Sequence, residues 1–137
     1  MKPHPQLINL PKYCDPRGNL SVLENGANLP FVINRAYWIY DVPSGRNRYG
    51  HAFRSQHELI IALSGSFDIV IHDGHATQRY RMDRANVGLY IPPLTWREMD
   101  NFSTNSVALV VASESYRPDD YIEEFDTYLS IINPDKQ

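Results

Sequence analysis

The chain is poor in cysteine. Cys14 stands alone among 137 residues, so no internal disulfide can form, and a reducing, cytoplasmic setting is expected. No glycine-framed elbow surrounds Cys14, as a thiol nucleophile of that type would need. Long apolar runs are lacking too: the longest fall far short of a membrane span. The amino terminus, MKPHPQLINLPKYCDP, is broken by Pro3, Pro5 and Pro11 and does not read as a signal peptide. Nor is there an excess of positive charge. Thirteen Lys and Arg against 16 Asp and Glu give a formal net charge of -3, with no long basic run, which disfavours nucleic acid as a partner. A few arginines in a pocket can still hold a phosphate-bearing small molecule against this mildly negative whole. Internal repeats and low-complexity linkers are absent. The length suits one domain over 1–137 with a real hydrophobic core.

What the chain does have is a succession of short β-like runs separated by turn signals. ELIIAL (58–63) is followed by Ser64-Gly65, and SFDIVIH (66–72) by Asp73-Gly74, a dipeptide suited to a tight hairpin. TQRYRM (77–82), VGLYI (87–91) and SVALVVA (106–112) follow, the last apolar enough for a central buried strand. Pro92 and Pro93 suit a strand end. With no helix between these runs, the expected fold is all-β, an antiparallel barrel or jelly roll. One short helix closes the chain: in DDYIEEFDTYLSI, Tyr121, Ile122, Phe125, Tyr128 and Leu129 recur at helical spacing, and the acidic residues come early, where the helix dipole favours them. It is expected to cap the barrel end.

The stretch from Gly45 through His51 and Glu58 to Gly65 resembles the first signature of the cupin superfamily, jelly-roll barrels in which two histidines and a glutamate hold a metal. Phe53 occupies the place of the second histidine. In the second signature, sought in GLYIPPLTWREMDN, the metal histidine falls on Arg97. A phenyl ring cannot ligate, and a guanidinium has no lone pair and stays charged. A cation on His51 and Glu58 alone, with Arg97 directed at it, would be poorly coordinated and electrostatically opposed. No metal and no other cofactor is expected.

An imidazole and a guanidinium at a barrel mouth suit a different chemistry. Histidine moves protons near neutral pH, and arginine holds an anion or an oxygen on which charge develops. Removing a proton from a carbon beside a ketone needs both services. His51 is therefore the candidate base, with a hydrogen-bonded structural histidine as the competing reading. In FVINRAYWIYDV (31–42), Arg35 and Tyr37 share one face while Trp38 and Tyr40 alternate with them. Both faces are apolar or aromatic, so alternation leaves open which one meets the cavity. Arg17, Arg35 and Arg48 are candidate anion contacts, and Trp96 is a candidate for substrate contact or for packing. His57 adjoins Glu58 and should point to the opposite strand face; His72 and His75 flank a hairpin turn and read as an exposed polar tip.

RYGHAFRSQHELIIALSGSFDIVIHDG together with VGLYIPPLTWREMDNFSTNSVALVVASESY closely resembles the sugar 3,4-ketoisomerases of the cupin superfamily (the WxcM-like C-terminal type), over roughly residues 7 to 130. The resemblance implies metal-free isomerisation of dTDP-4-keto-6-deoxy-D-glucose to a dTDP-3-keto-6-deoxyhexose through an enediol. It also implies a homodimer and a downstream aminotransferase that takes up the product. By the same resemblance His51 is the base at C3, Tyr37 is a pocket tyrosine, and Arg97 and Arg17 occupy pocket positions that vary with product stereochemistry. The family carries a second histidine where Phe53 stands. Three readings follow: His51 shuttles the proton between neighbouring carbons, Tyr37 or a water held by Arg97 replaces the second acid, or the protein binds a nucleotide sugar without turning it over. A metal-free 3,5-epimerase is a further alternative.

Overall fold

The computed structural model describes residues 3–43 and 45–136. In chain order the strands are β1 (Gln6–Asn9), β2 (Tyr13–Asp15), β3 (Gly18–Leu20), β4 (Arg35–Tyr40), β5 (Arg48–Phe53), β6 (Glu58–Ser64) and β7 (Phe67–His72). They continue as β8 (Thr77–Met82), β9 (Val87–Ile91), β10 (Trp96–Asp100), β11 (Val107–Ala112) and β12 (Tyr121–Ile122), before helix α1 (Phe125–Ile132). Two five-stranded antiparallel sheets result, ordered β1-β9-β6-β11-β4 and β12-β5-β10-β7-β8, while β2 and β3 form a separate hairpin. From β4 onward the chain crosses repeatedly from one sheet to the other, with β7–β8 the local exception. Of the barrel and jelly roll that strand spacing left open, this is the jelly-roll arrangement, as the cupin resemblance implies.

Alternation along the strands decides what fills the space between the sheets. Ile60, Ala62, Leu89, Ile91, Ala108 and Val110 of the first sheet meet Phe67, Ile69, Ile71, Met82 and Met99 of the second in one buried cluster. The opposite face of the first sheet is covered by the segment before β4: Leu10 and Phe31 pack on Leu59, Ile61, Tyr90 and Val111. β11 lies between β6 and β4, as its run of branched apolar residues predicts. At the β7–β8 turn Gly74 takes φ 93°, and Asp73 accepts the backbone N–H groups of His75 and Ala76, both at 2.9 Å. His75 is exposed, but His72 is only partly so, because its ring meets Phe125 edge-on at 4.9 Å.

The closing helix is shorter than its periodicity predicts. Residues 118–120 form a single 3-10 turn, Tyr121 and Ile122 pair with Phe53 and Ala52 of β5, and the α-helix begins at Phe125. A long-range contact overrides helical propensity here. The Asp120 carboxylate accepts the backbone N–H groups of Ser55 at 2.9 Å and Gln56 at 3.1 Å, tying this segment to the turn after β5. α1 then packs on the outer face of the second sheet, joining Ala52, Trp96, Ile122 and Tyr128 in a third cluster. The Tyr128 hydroxyl donates to the carbonyl oxygens of His72 and Leu94 at 3.0 and 3.1 Å. No helix among the described residues is long and apolar enough to cross a membrane.

Candidate active site

A cavity of about 820 Å3 opens between the sheets. The first sheet contributes Arg35, Tyr37 and Ile39, and the second His51, Arg97 and Met99. Tyr121 completes the wall. The open question about β4 is answered by burial: Arg35, Tyr37 and Ile39 are half-buried, whereas Trp38 and Tyr40 are each 59% exposed. The face bearing Arg35 and Tyr37 is therefore the cavity face.

His51 sits on β5 directly opposite Arg97 on β10, so strand pairing alone brings imidazole and guanidinium together. The Arg97 side chain is 4% exposed and the Glu58 side chain 1%, and Arg97 Nε lies 2.7 Å from Glu58 Oε1. A buried ion pair persists only when its remaining polar atoms are satisfied. Here Glu58 Oε2 accepts the Tyr37 hydroxyl at 2.8 Å and the Gln56 amide at 3.0 Å, and Arg97 Nη2 donates to the Tyr37 oxygen at 3.0 Å. Burial and the Glu58 carboxylate push the Tyr37 phenol far above its ordinary value, against the pull of Arg97, so it stays protonated. For Arg97, burial alone would weaken the charged form, but Glu58 more than offsets it and the guanidinium is held firmly charged. The arrangement fixes one positive group beneath the cavity, next to His51.

This geometry also tests the site for a metal. Both oxygens of Glu58 are engaged by Arg97, Tyr37 and Gln56. Among the described residues no group of three His, Cys, Asp or Glu side chains is close enough to hold an ion. The residues present do not fit one.

Arg35 lies higher in the cavity. Its Nη2 donates to Gln56 Oε1 at 3.1 Å, and its guanidinium stacks between the rings of Tyr37 and Tyr116, at 5.3 and 5.5 Å. Its Nε is buried and makes no hydrogen bond among the described residues. Arg48 lines the same cavity. Two candidates lie elsewhere. Trp96 precedes Arg97 and so faces away, against Phe125 and Tyr128 under α1. Arg17 stands at the tip of the β2–β3 hairpin with its side chain 90% exposed, bonded to Asp15 at 2.7 Å. His57, on the far face as alternation predicts, bonds the Tyr90 hydroxyl through Nδ1 at 2.7 Å.

Three residues of the site were not singled out for these roles by their sequence. Gln56 precedes Glu58 by two residues and could have been placed beside it by strand alternation. Glu58 reads as a ligand until Arg97 is seen on it. Tyr121 reads as part of a helix. Phe53 is 5% exposed and packs edge-on against His51 at 4.9 Å and Tyr121 at 4.6 Å.

Two antiparallel sheets with a polar cavity between them, entered by the first cupin signature on β5 and β6, define a cupin-type jelly roll. The chain belongs to the FdtA family, described as WxcM-like, C-terminal, whose match spans residues 3–133. It is 36% identical over 135 residues to the TDP-4-oxo-6-deoxy-alpha-D-glucose-3,4-oxoisomerase of Aneurinibacillus thermoaerophilus, covering 96% of this chain and 97% of that one. Its fold is similar to the WlaRB TDP-quinovose 3,4-ketoisomerase of Campylobacter jejuni, with TM-score 0.88 and 38% identity over 91% of this chain and 96% of that one. It is also similar to the H51N mutant of the 3,4-ketoisomerase QdtA from Thermoanaerobacterium thermosaccharolyticum in complex with TDP-4-keto-6-deoxyglucose. There the TM-score is 0.94 and the identity 34%, covering 98% of this chain and 97% of that one.

Proposed function

We propose that this protein isomerises dTDP-4-keto-6-deoxy-D-glucose to a dTDP-3-keto-6-deoxyhexose through an enediol, without a metal or other cofactor. His51 lifts the proton from C3 and returns it to C4. A single base can serve both carbons when they lie on one face of a planar enediol, which removes the need for a second imidazole where Phe53 stands. Arg97, held flat by Glu58 and Tyr37, supplies the fixed positive field in which charge on the sugar oxygens develops without reorganisation of solvent. Arg35 and Arg48, both lining the cavity, contact the diphosphate. The observation that carries this reading is the juxtaposition of His51 with the buried Arg97–Glu58–Tyr37 unit at the cavity floor, in a chain so similar to ketoisomerases along nearly its whole length.

The protein acts as one domain and, we propose, as a homodimer in the cytoplasm, passing its 3-keto product to an aminotransferase. Val32, Trp38 and Tyr40, exposed at 60, 59 and 59% on or beside an edge strand, supply an apolar surface for a second copy. Trp38→Lys with Tyr40→Lys is expected to halve the mass measured by light scattering; an unchanged mass would rule out this surface.

Incubation with dTDP-4-keto-6-deoxyglucose in deuterated water tests the reaction. Deuterium is expected at C4 of the 3-keto product, which an aminotransferase traps, and at C3 of recovered substrate, and neither in His51→Asn. Deuterium at C5 would indicate a 3,5-epimerase instead. Saturable binding with no exchange would indicate a nucleotide-sugar binder.

A further inference from the structure

Moving a ketone from C4 to C3 relocates two protons, one between carbons and one between oxygens. His51 accounts for the carbon proton, so a second group must carry the hydroxyl proton from O3 to O4. Resting on the isomerase reading, we infer that Tyr121 is that group: a further catalytic residue, presented to the cavity by β12 beside His51.

The other cavity groups are poorly suited. The Tyr37 hydrogen is donated to Glu58 and its oxygen accepts from Arg97, so it can release its proton only by breaking the buried unit. Arginine does not release a proton in a protein. Glu123 and Glu124 are exposed at the rim. Tyr121 is half-buried, lines the cavity, and holds its ring 5.4 Å from that of His51. It pairs across the strands with Phe53, whose ring it meets at 4.6 Å. Its backbone is held on both sides, by the Asp120 carboxylate on the β5–β6 turn and by Ile122 in the cluster under α1.

The step balances without a co-reactant. As neutral His51 takes the C3 proton, the C3–H electron pair forms the C3=C4 bond, the C4=O4 π pair moves onto O4, and O4 takes the Tyr121 proton. The result is a neutral enediol, an imidazolium and a phenolate. Tyr121 then takes the O3 proton, C3=O3 forms, and the C3=C4 pair takes the proton from His51 at C4. Both side chains end as they began. A phenol can both donate and accept a proton, as relaying one between two hydroxyl-like oxygens requires.

Tyr121→Phe keeps the ring and its contacts and removes only the hydroxyl. Loss of one acid–base group should lower kcat by about 10^2-fold or more with KM nearly unchanged, and with the melting temperature unchanged. The fraction of C3 deuterium carried intramolecularly to C4 should be preserved in the residual turnover. Replacement of Tyr121 by 3-fluorotyrosine, whose phenol is more acidic, should move the basic limb of the kcat profile to lower pH; this variant serves even where Tyr121→Phe does not fold. Wild-type turnover with an unimpaired Tyr121→Phe, or an unmoved basic limb in the fluorotyrosine protein, would overturn the assignment. Wild-type protein inert toward the keto sugar would instead remove the isomerase reading on which it rests.

Discussion

Replacing Glu58 by Gln removes one charge and leaves nearly every atom in place. At 2.7 Å, the Coulomb attraction to Arg97 is about 6 kcal/mol at an effective dielectric of about 20. Glutamine recovers part of this, because its carbonyl oxygen can still accept from Arg97, but its amide nitrogen must then face a donor, Tyr37 or Gln56. Measured losses on breaking buried pairs, about 3–5 kcal/mol, are the expected range. For a chain of this size that lowers Tm by roughly 10–20 °C. Urea unfolding followed by tryptophan fluorescence reads it, since Trp96 is 6% exposed in the folded chain and becomes exposed on unfolding. The decisive comparison is the double variant Glu58→Gln with Arg97→Met. Removing the stranded cation should recover stability relative to Glu58→Gln alone, although catalysis is lost. A single variant within about 1 kcal/mol of wild type, or a double variant less stable than the single, would refute the claim that this pair is buried and mutually dependent.

Other outcomes follow from the same structure. A Cβ at Gly50 would come within 2.6 Å of the Trp96 ring and Glu98, so Gly50→Ala is expected to cost about 1–3 kcal/mol and to raise KM by shifting the cavity wall, as equilibrium unfolding and steady-state kinetics would record. Tyr128→Phe loses its two carbonyl partners and should destabilise by about 1–3 kcal/mol with kcat retained. Burial lowers the His57 pKa, the Glu114 charge partly opposing. The unfolded chain therefore binds more protons as pH falls below about 6.5, and stability contributed above that pH is lost on going down through it. His57→Gln should flatten this part of a stability-versus-pH curve.

Much of the fold was legible because alternation and turn chemistry are local. Strands β6 to β9 and β11 fall within a residue of their apolar runs, and Asp73-Gly74 makes the turn it signals. The face of β4 was not legible, because both sides are apolar or aromatic; only the packing of Trp38 and Tyr40 outward separates them. The start of α1 was misread for a different reason. Tyr121 and Ile122 keep helical spacing with Phe125, yet the Asp120 carboxylate finds its donors 65 and 64 residues away, which no local pattern encodes. At the site, His51 and Arg97 were legible as positions in a signature. The engagement of Glu58 by Arg97, 39 residues apart, was not, because a glutamate in a ligand position looks alike whether it awaits an ion or already holds a guanidinium. Trp96 was ambiguous for the same reason: its aromatic character suits a sugar face and a helix equally.

β12 and α1 come after every other strand in chain order. During synthesis the two large sheets can pair from β1 to β11 while the wall that carries Tyr121 has yet to emerge, apart from its partner strand β5. The compartment is thus closed only after β1 to β11 have been made. A nascent chain arrested before residue 121 would carry the imidazole and the buried guanidinium, but would hold them in an open trough that water floods.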